Sequence, residues 1–166
     1  IYDASVVKTK YKAKYHNHPN FSRPSLSQRF IYNDSLEFVL CANHFKSKGS
    51  RNAKGLDVDQ KDGQASYNYK RTLQAKTLLD IIDSLYFDEN IIVLGDFNAY
   101  SQEDPIQALQ STYLNRLETT NHSYIYKGKN GSLDHVFVSD NFKDHIDQVQ
   151  TWNINSIYPS WIKHSS

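Results

Sequence analysis

Two rhythms of apolar and polar positions outline the elements of this chain. Residues 36–43, LEFVLCAN, set Leu36, Phe38 and Leu40 on one side and Val39 and Cys41 on the other. A period of two that is apolar on both faces predicts a strand covered on each side. In residues 67–87, Leu78, Ile82 and Leu85, flanked by Ala75, Leu79 and Tyr86, recur at helical spacing. Between these segments lies SKGSRNAKGLDVDQKDGQ, residues 47–64, polar and glycine-containing. It reads as a long loop of the kind that carries function or is disordered. Residues 90–99, NIIVLGDFNA, form a short apolar run that ends at Gly95 and delivers polar residues to a sheet edge. An acid before proline at residues 104–105 opens a predicted helix over 104–114. Residues 131–139 and 146–154 read as two more strands. Alternating strands and helices, with strands apolar on both faces, predict a layered α+β sandwich with helices outside. With no repeat, low-complexity tract or linker, residues 1–166 form one domain.

Composition narrows this picture. A chain of 166 residues is long enough to bury a core, and no apolar run approaches a membrane span or a signal segment. It opens on Ile1 rather than methionine, so we expect a processed chain or a fragment. Its lone Cys41 excludes an internal disulfide and reads as a small buried hydrophobe. The net charge of +1 argues against a strongly basic nucleic-acid binder, yet the two halves differ. Residues 1–76 hold 14 Lys/Arg and 6 Asp/Glu, and residues 77–166 hold 5 and 12. Such asymmetry suits a site where cations hold a phosphate and carboxylates hold a metal.

Three stretches carry candidate chemistry. NHFKSKGS, residues 43–50, ends a buried strand on His44 and turns with Lys46 and Lys48; a solvated lysine-rich turn is the plain alternative. In IIVLGDFNAY, Asp96 and Asn98 stand two apart, on one side of an extended chain. They could bind a metal, orient a water or grip a phosphate oxygen, or form an ordinary turn. In SLDHVFVS, Asp134 sits in an apolar strand, where burial would demand a partner. His135 faces the other way and reads as a packed or surface histidine. The acids Asp57, Asp59 and Asp62 of the long loop could hold a second ion such as Ca²⁺, but their spacing is not that of an EF-hand, and a solvated loop is the preferred reading.

FSRPSLSQRF, NHFKSKGS, DGQASYNYKRTLQA, IIVLGDFNAYSQEDPIQAL, YKGKNGSLDHVFVS and TWNIN occur in that order from Phe21 onward. Together they resemble the endonuclease/exonuclease/phosphatase superfamily, and within it the secreted bacterial nucleases related to the DNase I-like fold. The resemblance implies a four-layer α/β/β/α sandwich, incomplete at both ends. It also implies divalent-metal-dependent hydrolysis of phosphodiester bonds in nucleic acid, with DNA as partner and Mg²⁺ (or Mn²⁺ or Ca²⁺) as cofactor, in an extracellular or periplasmic setting. Nothing points to a membrane or a protein partner. By the same resemblance His44 contacts the scissile phosphate and Arg23 holds it. Asp96 positions the attacking water and supports metal, Asn98 stabilises transition-state charge, and Asp134 joins the phosphate and metal cluster. Lys46 and Lys48 reach the substrate backbone or are solvated, and Arg71 recurs in the motif with a structural hydrogen-bonding role in view. Phospholipid or inositol-phosphate phosphodiesterases share the fold, but NHFKSKGS with GSLDH favours the nuclease branch.

The chain also departs from the pattern. The family carries an Asn and a metal-binding Glu on early strands that nothing before FSRPSL supplies, and it closes its site with Ser-Asp-His where this chain reads KHSS. His164 falls out of register, and Asn153 stands in TWNIN where His is usual. The expectation is a fragment holding half a site, inactive alone, with a non-catalytic, phosphate- or nucleic-acid-binding remnant as the alternative.

Overall fold

The structure, a computed structural model, describes residues 2–151 other than 111, 120 and 127. Its centre is a mixed six-stranded sheet, in the order β1 (Val7–His16), β2 (Ser25–Tyr32), β3 (Leu36–His44), β4 (Ile91–Asp96), β8 (Asp134–Ser139) and β5 (Leu114–Leu117). A small hairpin of β6 (Tyr124–Tyr126) and β7 (Lys129–Gly131) stands apart. Among the described strands only β3 and β4 pair in parallel, and the chain between them crosses over through α1 (Asn68–Tyr86), the connection a parallel pair requires.

The apolar pattern explains which face the helices take. Val39, Cys41, Ile91, Val93 and Phe137 form one buried sheet face, and Ala75, Leu78, Ile82 and Tyr86 of α1 pack on it with Ile106 and Leu109 of α2 (Asp104–Gln110). Phe45, Phe97 and Phe137 close the core edge to face, with ring centroids 4.9 and 5.5 Å apart. Leu40, Ala42, Ile92, Leu94 and Val136 form the opposite sheet face and are only half-buried. The layered α/β arrangement is therefore present. Among the described residues it comprises one sheet and one helical layer, the half of a four-layer sandwich that includes β3 and β4.

Several boundaries differ from the sequence expectation. The helix expected over 104–114 ends at Gln110, because Leu114 begins the edge strand β5 by pairing with Ser139. The strand expected over 131–139 is interrupted before Asp134. There the Leu133 carbonyl accepts Phe97 N at 2.9 Å, while the Ser123 hydroxyl accepts the amides of Leu133 and Asp134. Residues 146–151 hold no regular structure; the remainder of that expected strand, with Asn153 and His164, lies outside the described residues. The long loop stands as read, with a single 3-10 turn at Gly55–Asp57. No described helix is long and apolar enough to cross a membrane.

Candidate active site

Strand register assembles the site. His44 pairs with Asp96 across β3 and β4, and Asp96 pairs with Asp134 across β4 and β8. Three candidate side chains thus stand in a row on neighbouring strands, on the sheet face opposite the helices. His44 Nε2 lies 3.6 Å from Asp96 Oδ2, with side chains 46 % and 36 % exposed, so the row is open to solvent. Arg23 sits exposed in the β1–β2 connection. The first residues of β2 pair with the end of β3, which brings Arg23 to this same edge.

Asp96 is the electrostatic centre. Burial pushes its carboxyl above the ordinary value, the neighbouring Asp134 charge adds to the rise, and the Asn98 amide, His44 and Arg23 oppose it. Asn98 N donates to Asp96 Oδ1 at 2.8 Å, and Asn98 itself adopts φ 49°. The segment is therefore an Asx turn at the sheet edge, the turn reading of GDFN. Asn98 Nδ2 donates to the Phe45 carbonyl at 3.1 Å, which ties the ends of β3 and β4 together. Asp134 is exposed at the first position of its strand. The expectation that it is buried and needs a partner is corrected by the late start of the β8 ladder. His135 faces the core, as read: it is buried, with Nε2 2.8 Å from the Ala99 carbonyl.

Gly95 makes the close approach possible. It sits at φ 142°, and a Cβ there would lie 1.9 Å from the Asn43 carbonyl oxygen, so any side chain would force β3 and β4 apart beside His44 and Asp96.

The two loop lysines stand apart from the row. Lys46 Nζ lies 4.3 Å from the centre of the Tyr67 ring, a cation–π contact. Lys48 pairs with Glu103 and lies over the Tyr100 ring; burial lowers its ammonium below the ordinary value against the pull of Glu103. Arg71 takes the structural role. Fully buried on α1, it donates to the carbonyls of Gln64 at 2.7 Å, Ser66 at 2.9 Å and Lys46 at 3.4 Å, and Gln74 one turn on accepts Lys46 N at 2.9 Å. These two side chains pin both ends of the long loop and fix the turn that follows His44. Sequence reading missed Gln74, although a polar residue on an otherwise apolar helical stripe was a signal available to it.

A divalent metal is tested by the donor set. Asp96 and Asp134 offer hard oxygens in register, and their mutual repulsion is what a cation would relieve. That fits a divalent cation that keeps several waters and binds through one or two carboxylates plus phosphate oxygens. No described group of three or more acids, histidines or cysteines is placed to hold a metal. In the long loop, Asp57, Asp59 and Asp62 instead accept the backbone amides of Lys70, Lys61 and Gln64.

Comparison with known proteins follows this geometry. Residues 34–160 match the Endonuclease/Exonuclease/phosphatase family. The chain belongs to that family. Its members act on nucleic acid or other phosphoesters, are mostly hydrolytic enzymes and are generally dependent on divalent metal. No curated protein matches the sequence. Among solved structures, the human Nocturnin catalytic domain with bound sulfate is similar at 16 % identity and TM-score 0.56, covering 81 % of this chain and 49 % of that one. A humanized D. rerio TDP2 is similar at 16 % identity and TM-score 0.59, covering 81 % and 53 %. The Bacteroides thetaiotaomicron mannosyl-6-phosphatase Bt3783 is similar at 14 % identity and TM-score 0.57, covering 83 % and 55 %. These likenesses establish the DNase I-like fold, and the chain spans about half the length of each structure it matches.

Proposed function

We propose that this chain supplies the phosphate-facing half of a metal-dependent phosphodiesterase site that cleaves nucleic acid, with DNA the preferred substrate and an extracellular or periplasmic setting. The observation that supports it is the row His44–Asp96–Asp134 across three adjacent strands, with Arg23 at the same edge. Hydrolysis of a phosphodiester needs a water oriented in line and donors for the charge that grows on the phosphate oxygens. Asp96 Oδ1 is held by the Asn98 amide, which leaves Oδ2 to orient a water. His44 and the Arg23 guanidinium donate to the phosphate, and the second N–H of Asn98 Nδ2, whose first N–H goes to the Phe45 carbonyl, is available to it. Asp96 and Asp134 would hold a divalent cation, which when bound neutralises phosphate charge as a Lewis acid.

The test is an assay of the full protein containing this chain on plasmid DNA, RNA and a phosphomonoester, with Mg²⁺ and with chelator. Metal-dependent nicking of plasmid, lost in Asp96→Asn, is the expected result. Turnover of the phosphomonoester alone would replace the nuclease reading with a phosphatase one. A second reading, phosphate or nucleic-acid binding without turnover, draws on the pairing of only two carboxylates among the described residues. Nucleic-acid binding without cleavage in the same assay would favour it.

A further inference from the structure

The β1–β2 hairpin carries a feature that the site at its near end does not explain. Between Lys10 and Lys14 the register with β2 shifts, so that residues 11–13 bulge opposite Gln28. The bulge is built in rather than frayed, because Gln28 Nε2 donates to the carbonyls of Lys10 and Tyr11 at 3.1 and 3.2 Å. At its apex Tyr11 adopts φ 64°, a conformation disfavoured for a bulky side chain. Its ring nevertheless stands 75 % exposed, and Tyr15 on the same strand is 71 % exposed. Neither burial nor turn formation calls for an aromatic at this position, and strain held in place by its surroundings is a mark of function.

The surroundings are cationic. β1 places Lys8, Lys10, Lys12 and Lys14 within ten residues that contain no acid. Lys8 is paired with Asp34 and Lys10 with Glu37, while Lys12 and Lys14 enter no ion pair among the described residues. Beneath the bulge lies a cleft of about 140 Å³, lined by Lys12, Lys14, Ser27, Arg29 and Tyr86 as well as Tyr11. Two ammonium groups without carboxylate partners suit a phosphate and an exposed ring beside them suits a base; the Ser27 and Tyr86 hydroxyls are bonded to each other at 2.6 Å, and the other cleft cations, Lys10 and Arg29, are paired with Glu37 and Glu89. Cations interleaved with exposed aromatics are how proteins grip single-stranded nucleic acid without reading its sequence.

We propose that the bulge of β1, with Tyr11, Lys12 and Lys14, is a second binding site that holds a single-stranded stretch of nucleic acid through phosphate contacts in the cleft and base stacking on Tyr11. The choice of nucleic acid as ligand rests on the function proposed above; the geometry of the site does not. Arg23 lies in the connection between the same two strands, but the cleft is lined by Val39 and Tyr86 of the helix-packed face while the active row stands on the opposite face, so the two sites are separate.

The experiment uses the chain itself with a fluorescein-labelled oligothymidine of about 12 nucleotides, within the site sizes of single-strand binders, and reads anisotropy over a salt series. Lys12→Ala/Lys14→Ala should flatten the log–log salt slope by about 0.7 for each phosphate that the protein no longer neutralises. Tyr11→Gly should weaken binding roughly 5- to 100-fold with the slope unchanged, as for removal of one stacking platform. The same variant should melt at a higher temperature, since glycine accepts this backbone without strain. Lys76→Ala, at an exposed lysine of α1, should bind as the wild type does. Wild-type affinity and slope in the β1 variants overturn the proposal and leave the proposed function standing, as does a salt slope flattened equally by Lys76→Ala. A heparin oligosaccharide separates stacking from charge: equal weakening of heparin and oligothymidine by Tyr11→Gly overturns the base contact. Tyr11- and lysine-dependent binding to phosphatidylserine vesicles, with none to oligothymidine, would overturn the nucleic-acid proposal and assign the surface to a membrane instead.

Discussion

His44 and Asp96 end two parallel neighbouring strands and face each other with Nε2 and Oδ2 3.6 Å apart, outside hydrogen-bonding distance and both open to solvent. A gap of that size leaves each side chain a free polar atom for a third party, which a closed ion pair would consume. The pair is thus not satisfied by itself.

The first prediction follows from the strain on Asp96. Its carboxylate is held against burial and against Asp134, so Asp96→Asn should raise the melting temperature of the protein at pH 7 while abolishing turnover. Mg²⁺ should raise the melting temperature of the wild type and leave that of Asp96→Asn unmoved, because the cation acts only through the carboxylate pair. A variant that melts lower than the wild type, or one that Mg²⁺ still stabilises, would count against this account of the site.

Asn98 has two separable jobs. Its amide N–H and φ 49° shape the turn, and its side chain binds the Phe45 carbonyl. Asn98→Asp keeps the turn but removes the donor and sets a carboxylate against the Phe45 carbonyl, so it should lower stability and also lower kcat by about 10²–10³-fold, as for one preorganised transition-state donor. Full kcat in that variant would reduce Asn98 to a turn residue.

How much of this was legible in the sequence depends on what each residue faces. LEFVLCAN and IIVLG read as strands because both their faces are apolar, and their pairing delivers His44 and Asp96 to one edge. β1 was missed: VKTKYKAKYH alternates lysine with Val7, Thr9, Tyr11, Ala13 and Tyr15, a period of two, but both sets are largely exposed, so its strand character comes from pairing with β2 and not from burial. Asp134 reads as buried because the apolar run continues on both sides of it. Only the Ser123 hydroxyl and the Phe97 amide, both distant in sequence, show that the ladder starts at that residue. The helical stripe of α1 was plain, but the loop carbonyls that Arg71 and Gln74 would meet were not, since those bonds close over a chain segment with no period of its own.

That anchoring gives the third prediction. Removing Arg71 leaves the carbonyls of Gln64, Ser66 and Lys46 without their donor, and an unsatisfied buried group costs about 1–3 kcal/mol. Arg71→Ala should therefore lower stability by about 2–4 kcal/mol in urea melts. Arg71→Lys should recover little of it, because a single ammonium cannot span carbonyls on both sides of the loop. Complete rescue by lysine would show that charge alone mattered.

The fourth prediction is a pH dependence set by His135. The ring is buried with Nε2 2.8 Å from the Ala99 carbonyl, so the neutral Nε2–H form donates to it. Burial lowers its value below the ordinary 6.5, which the Ala99 bond and Asp134 only partly offset. The folded protein thus takes up the histidine proton at lower pH than the unfolded chain does. Above about pH 6.5 neither state holds that proton and His135 contributes no pH dependence. Below it the unfolded chain binds more protons, so stability rises with pH across the window and falls as acid is added, until the folded ring is itself protonated. His135→Gln, which keeps a donor for Ala99 but cannot titrate, should remove this component. Urea melts of the two proteins between about pH 7.5 and about pH 5, a range that brackets the ordinary histidine value, should show the wild type losing stability faster. Parallel curves would mean that the acid sensitivity of the fold arises at another group.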